Sequence, residues 1–134
     1  MFKLIRILNS AVGTPEPVRI PTDKNTDIPI GAALTLTNGV ATHCGSAETP
    51  LFISASPAKS GKDESLLVYP VFDNMLFDAP LYEDAPDIAI GDKLTLNIGE
   101  DYVARGINAQ TGGAAIVMAI HGTSIGDTVT VRFQ

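Results

Sequence analysis

Ile88-Ala89-Ile90-Gly91-Asp92-Lys93-Leu94-Thr95-Leu96 reads as a tight turn feeding a strand, and the chain carries the same phrase twice more. An earlier copy is Ile28-Pro29-Ile30-Gly31-Ala32-Ala33-Leu34-Thr35-Leu36, and a later, shorter one is Ile125-Gly126-Asp127-Thr128-Val129-Thr130-Val131. In each, a glycine follows an apolar residue and supplies a backbone position free of Cβ restriction. An alternating run of Leu or Val with Thr then enters a sheet, with successive side chains on opposite faces. Gly31, Gly91 and Gly126 are unevenly spaced, so the phrase marks related corners and not a repeat array.

Working outward from these corners, the rest of the chain also reads as strand. Phe2 to Leu8, Val18 to Ile20, Leu51 to Ala55, Leu66 to Val71, Tyr102 to Ile107, Ala114 to Ile120 and Thr128 to Phe133 are short apolar or alternating runs bounded by Gly, Pro and Asn. Leu34 and Leu36 fall on one face of their strand, with Ala33, Thr35 and Thr37 on the other. Asn38-Gly39 signals a two-residue hairpin whose central residues both need positive φ, which returns Val40 to His43 beside Leu34 to Thr37. Asp73 to Asp87 is ambiguous: Asn74-Met75-Leu76-Phe77 suits a strand or a single helical turn stopped by Pro80, its apolar residues covering an open end of the sheet. The expectation is an all-β chain, a compact small barrel or sandwich of about 8–10 short, mostly antiparallel strands with little or no helix.

The 134 residues fit one β domain spanning 1–134. With 45% hydrophobic and 18% charged residues, the chain is too apolar for a disordered segment. The net charge of −6 is unevenly placed: residues 1–24 carry +2, whereas Asp73 to Asp101 carries −7. An acidic surface without Trp offers neither the basic stripe nor the stacking platforms of a nucleic-acid binder. Lys3 and Arg6 interrupt the first apolar run, and Ala114 to Ile120 falls far short of the ~20 residues that cross a membrane, so no membrane association is expected.

Candidates for chemistry are few. Cys44 is the only cysteine, which excludes an internal disulfide and a C-x-x-C pair, and it reads as a small buried hydrophobe. His43 and His121 each end an apolar strand, as polar rim residues do. A hydrolase would need Cys44 to meet a histidine in space. No serine sits in a Gly-x-Ser-x-Gly context. Glu83-Asp84-Ala85-Pro86-Asp87, with Asp92, offers oxygens to a cation but lacks calcium-loop spacing and reads as a solvated turn. Gly112-Gly113 lacks the following Gly-Lys-Ser/Thr of a phosphate loop and reads as a hairpin tip. No catalytic, cofactor-binding or metal-binding residue is assigned.

The opening Phe2-Lys3-Leu4-Ile5-Arg6-Ile7-Leu8-Asn9-Ser10, the Pro15-Glu16-Pro17-Val18-Arg19 that follows, the Gly31 to Gly39 hairpin, Leu67-Val68-Tyr69-Pro70-Val71, the Ile90 to Leu96 corner and the closing Gly126 to Phe133 resemble the small β-rich capsid decoration, or head stabilisation, proteins of tailed phages and prophages. The resemblance implies a non-enzymatic structural protein, made in the bacterial cytoplasm and carried on the virion surface. It implies a bond to the major capsid protein and self-association, most naturally as a trimer. The charge split suggests that residues 1–24 form an extended arm able to add a strand to a neighbour. The competing reading makes Phe2 to Leu8 simply the first strand. Two rivals from other classes are a carbohydrate-binding β-module, disfavoured by the absence of Trp, and a small hydrolase using Cys44 or a histidine.

Overall fold

The computed structural model describes residues 1–8, 16–23, 25–61 and 65–134. Among them lie eleven strands and no helix: β1 (Lys3–Ile7), β2 (Val18–Pro21), β3 (Ala33–Thr37), β4 (Val40–His43), β5 (Phe52–Ser54), β6 (Ser65–Pro70), β7 (Met75–Pro80), β8 (Lys93–Ile98), β9 (Ala104–Thr111), β10 (Ala115–Ile120) and β11 (Thr128–Phe133). They form a six-stranded sheet in the order β1-β7-β11-β10-β8-β9 and a five-stranded sheet in the order β2-β6-β5-β3-β4. Every ladder within the two sheets is antiparallel. Of the two architectures open to the sequence, the sandwich forms.

Both sheets curl. Thr22, just past β2, makes a single parallel bridge to Ala41 of β4, and Leu81, just past β7, makes another to Ile107 of β9. Neither bridge grows into a ladder, so neither sheet closes into a barrel. The second seam depends on Gly106, where a Cβ would lie 2.5 Å from the Pro80 carbonyl oxygen and against the Tyr82 ring. Curling protects strand edges that would otherwise invite aggregation.

The core follows from this stacking. Phe77, Phe133, Leu94, Leu96 and Ile107 of the larger sheet pack with Ala33 and Ile53 of the smaller one and with Cys44 just past β4, all at most 2% exposed. Phe133 stands edge-on to Phe2 at 5.4 Å between ring centroids and tilted against Phe77 at the same distance. Such pairs contribute about 0.5–1.5 kcal/mol each beyond their buried area. On its other face the smaller sheet buries Ile28, Leu34, Leu66 and Val68, with Val103 from the β8–β9 turn completing this second cluster. Ala33 and Leu34 therefore alternate as expected, but the strand is buried on both faces at its start and exposed at Leu36 near the hairpin tip.

The three corners share one construction. Gly31, Gly91 and Gly126 adopt φ of 77°, 95° and 89°, the conformation that the third residue of a type II turn needs. Each glycine amide donates to a carbonyl on another segment: Gly31 to Ser54, Gly91 to Val117 and Gly126 to Leu81, at 2.8–2.9 Å. Two of the turns are locked by an aspartate. Asp92 accepts the Ala89 amide at 2.9 Å, and Asp127 accepts the Ser124 amide at 3.0 Å. In the other, Pro29 has no amide to give and Ala32 stands in the aspartate position; the Ser54 hydroxyl accepts from the Ala32 amide and donates to the Pro29 carbonyl instead. Asn38 and Gly39 also take positive φ, 52° and 79°, as the hairpin signal requires.

Two local expectations need correction. Asp73 to Asp87 does not cover an open end of the sheet: β7 is an inner strand between β1 and β11, with Met75, Phe77 and Ala79 in the core and Pro80 at its last position, where a missing amide costs least. Gly112-Gly113 is not a hairpin tip, because β9 and β10 flank β8 on opposite sides and the segment carries the chain across β8, both glycine amides directed at the Lys93 carbonyl.

Candidate functional site

β1 bears on the question of an arm. Residues 3–7 lie along β7 as the edge strand of the larger sheet, and Phe2 is 2% exposed in the core. Within the segment expected as an arm, Val18–Pro21 also pairs into a sheet, as β2 beside β6, while residues 9–15 and 24 lie outside the described residues. Of the four terminal strands in the two sheets, β2 and β4 meet through the bridge at Thr22 and β9 meets the end of β7 through Leu81. Among the described residues, only the outer edge of β1 has no strand or bridge against it. The ladder shifts register between Leu4 and Arg6, leaving Ile5 at a bulge and 44% exposed. Beside this edge runs a groove of about 210 Å³, walled by Met1, Lys3, Leu4, Ile30, Ile53 and Tyr69. Lys3 and Arg6 place positive charge along a strand whose apolar residues are partly open.

A larger cleft, of about 730 Å³, lies on the far side of Ile30, which lines both. Four separate pieces of chain meet there: residues 25–30, His43 at the end of β4, residues 57–59, and residues 101–105. Ile28 and Ala58 exchange both backbone hydrogen bonds, at 2.9 and 2.8 Å, fixing two of the walls to each other. Asp101 and Arg105 form a 2.6 Å ion pair at the rim, and the guanidinium holds the Asp101 carboxyl below its ordinary range. Asp27 is held low as well, because its carboxylate accepts the Ser60 amide at 2.6 Å. Tyr102 stands at φ 61° and is 76% exposed, so its backbone is strained without its ring being buried in return.

The residues singled out in the sequence do not converge. Cys44 is buried, its thiol directed at the carbonyls of Gly45 and Glu48 at 3.5 Å. Burial, with the nearby Glu48 adding, pushes that thiol up to about 12, so it is protonated and poorly nucleophilic near neutrality. His43 faces the cleft, with Nε2 donating to the Asp27 carbonyl at 3.0 Å, since a carbonyl can only accept. His121 bonds to Thr130 at 3.0 Å, and the Thr130 hydroxyl donates to Asp78 at 2.7 Å. That hydroxyl proton is committed to a carboxylate, and the imidazole donates to the oxygen instead of drawing the proton away. In the acidic run, Glu83 accepts the Ala109 amide, Asp84 the Ile125 amide and Asp92 the Ala89 amide. Asp92 locks its own turn, whereas Glu83 and Asp84 tie the segment after β7 to β9 and to the Ile125 corner, and among the described residues no group of three or more His, Cys, Asp or Glu is placed to hold a metal ion.

The sequence suggests that Tyr102 opens a strand running to Ile107, whereas β9 begins at Ala104 and Tyr102 closes the preceding turn through the hydrogen bond from its amide to the Gly99 carbonyl. Its neighbours Gly99, Glu100 and Asp101 signal a turn, but nothing in the order of residues assigns the positive φ to the tyrosine. No protein-family model matches this chain, and no curated protein matches it.

Proposed function

We propose that this chain is a non-enzymatic structural protein that decorates or stabilises a phage or prophage capsid by binding the major capsid protein. The observation that carries this reading is the outer edge of β1, against which no strand or bridge lies among the described residues, bordered by a partly apolar groove and by Lys3 and Arg6. An extended segment of a shell protein would add as a strand along such an edge, main-chain hydrogen bonds giving affinity and the groove taking alternate side chains. The compact β architecture suits a protein that must endure on the outside of a particle, and the acidic Asp73 to Asp101 region keeps the remaining surface soluble. Self-association as a trimer belongs to the same proposal and is read by light scattering of the purified chain.

The test is mass spectrometry of phage particles purified after induction of the source bacterium. A copy number comparable with that of the major capsid protein supports decoration of the shell. Absence of the chain from particles rich in capsid protein rejects it.

A further inference from the structure

From the cleft bounded by Tyr102, Asp101, Arg105, Lys59 and Ile30, we infer a binding site for a neutral, hydroxyl-rich ligand, a short saccharide of two or three units. The volume of about 730 Å³ lies within the range of small-molecule sites. The charges that line it cancel, Asp27 and Asp101 against Lys59 and Arg105, so the cleft favours neither a strongly anionic nor a strongly cationic occupant. This balance is local, in a chain whose net charge is −6.

Tyr102 supplies the platform. Its amide donates to the Gly99 carbonyl at 2.9 Å, and the Val103 amide donates to the Asp101 carboxylate at 3.3 Å. Val103, 4% exposed, anchors the turn in the second core cluster. The turn therefore holds the tyrosine in position by its backbone, leaving the ring free to take the C–H face of a sugar. A backbone held in a sparsely populated region, with no packing of its side chain to explain it, is the kind of outlier that marks a ligand contact. Beside it, the Asp101 carboxylate accepts hydrogen bonds and the Arg105 guanidinium donates them, 2.6 Å apart. A sugar hydroxyl both donates and accepts, so vicinal hydroxyls match this pair in a way that a purely apolar ligand does not. His43 acts as a positioning residue: its bond to the Asp27 carbonyl ties the 25–30 wall to the end of β4.

Saturation-transfer NMR on the isolated full chain, with chitobiose, cellobiose and maltotriose as neutral probes and a heparin disaccharide as charged control, tests the site. The expected result is transfer to at least one neutral probe, with affinity lowered at least about tenfold in Tyr102→Ala and unchanged in Ile90→Ala. Tyr102 is exposed, so the variant is expected to keep its fold, which circular dichroism verifies. Transfer to none of the neutral probes, a response confined to the charged control, or a response equally strong in Tyr102→Ala overturns the inference. Capsid binding plays no part in this experiment, so its failure leaves that proposal standing.

Discussion

Ser54 donates its hydroxyl proton to the carbonyl of Pro29 at 2.5 Å, across a separation of 25 residues. The same oxygen accepts the Ala32 amide, so one side chain on β5 closes a turn that its two sister turns close with their own aspartates. Ser54 is 2% exposed. Replacing it with alanine strands the Ala32 amide and the Pro29 carbonyl together. Ser54→Ala is expected to cost about 1–3 kcal/mol, read as a lower urea midpoint with an unchanged slope; a midpoint equal to that of the parent would show that water restores both bonds.

The corner glycines separate backbone strain from steric contact. At Gly126 and Gly91 a Cβ would meet nothing within 4 Å, so alanine there pays only for its positive φ, about 1–2 kcal/mol. At Gly31 the same Cβ would also lie 2.5 Å from the Met1 Cβ and 3.1 Å from the Phe2 carbonyl oxygen. Thermal melting should therefore rank Gly31→Ala as clearly more damaging than Gly91→Ala or Gly126→Ala. Equal losses at all three would mean that the N-terminus moves aside freely.

These corners explain how much of the fold was legible. Gly31, Gly91 and Gly126 announce their turns because only glycine takes that conformation without strain, and Asn38-Gly39 announces its hairpin for the same reason. Strand positions were legible from alternation, and so was the β3–β4 pairing across Asn38-Gly39, but the neighbours of strands not joined by a tight turn were not. That β7 lies inside the sheet, or that β9 and β10 flank β8, depends on pairings between residues far apart in sequence. Nor does periodicity report the single bridges at Thr22 and Leu81 that curl the sheets. The cleft was invisible for a related reason: its walls come from four segments, and its most exposed side chain, Tyr102, owes its position to a turn geometry that no residue type there demands.

Cys44 gives a pH dependence with a defined sign. Its thiol ionises at about 12 in the folded chain against an ordinary value of 9.0, because burial penalises the thiolate. Folding thus favours the protonated form. That contribution is fully present below pH 9.0 and is lost as pH rises towards about 12, because the unfolded chain releases its proton first. Denaturant midpoints should fall across this alkaline window less steeply in Cys44→Ala than in the parent. Near neutral pH, iodoacetamide should leave the folded chain unmodified and label Cys44 only once denaturant is added; rapid labelling of the native protein would contradict the burial of the thiol.

Phe2 and Ile5 sit three residues apart yet carry different duties, which allows binding to be separated from folding. Phe2 is buried against Phe133, and Phe2→Ala should cost about 3–5 kcal/mol, as loss of a core aromatic does. Ile5 stands at the β1 bulge, 44% exposed, and its replacement should change stability by no more than about 0.5 kcal/mol. A charge at that position would nevertheless oppose a strand arriving at the outer edge of β1, because docking would desolvate an unpaired aspartate. Ile5→Asp is therefore expected to melt like the parent and to lose co-sedimentation with capsids that lack the decorating chain. Retained co-sedimentation would move the contact away from β1, whereas loss in Phe2→Ala alone would reflect unfolding and leave the edge without support.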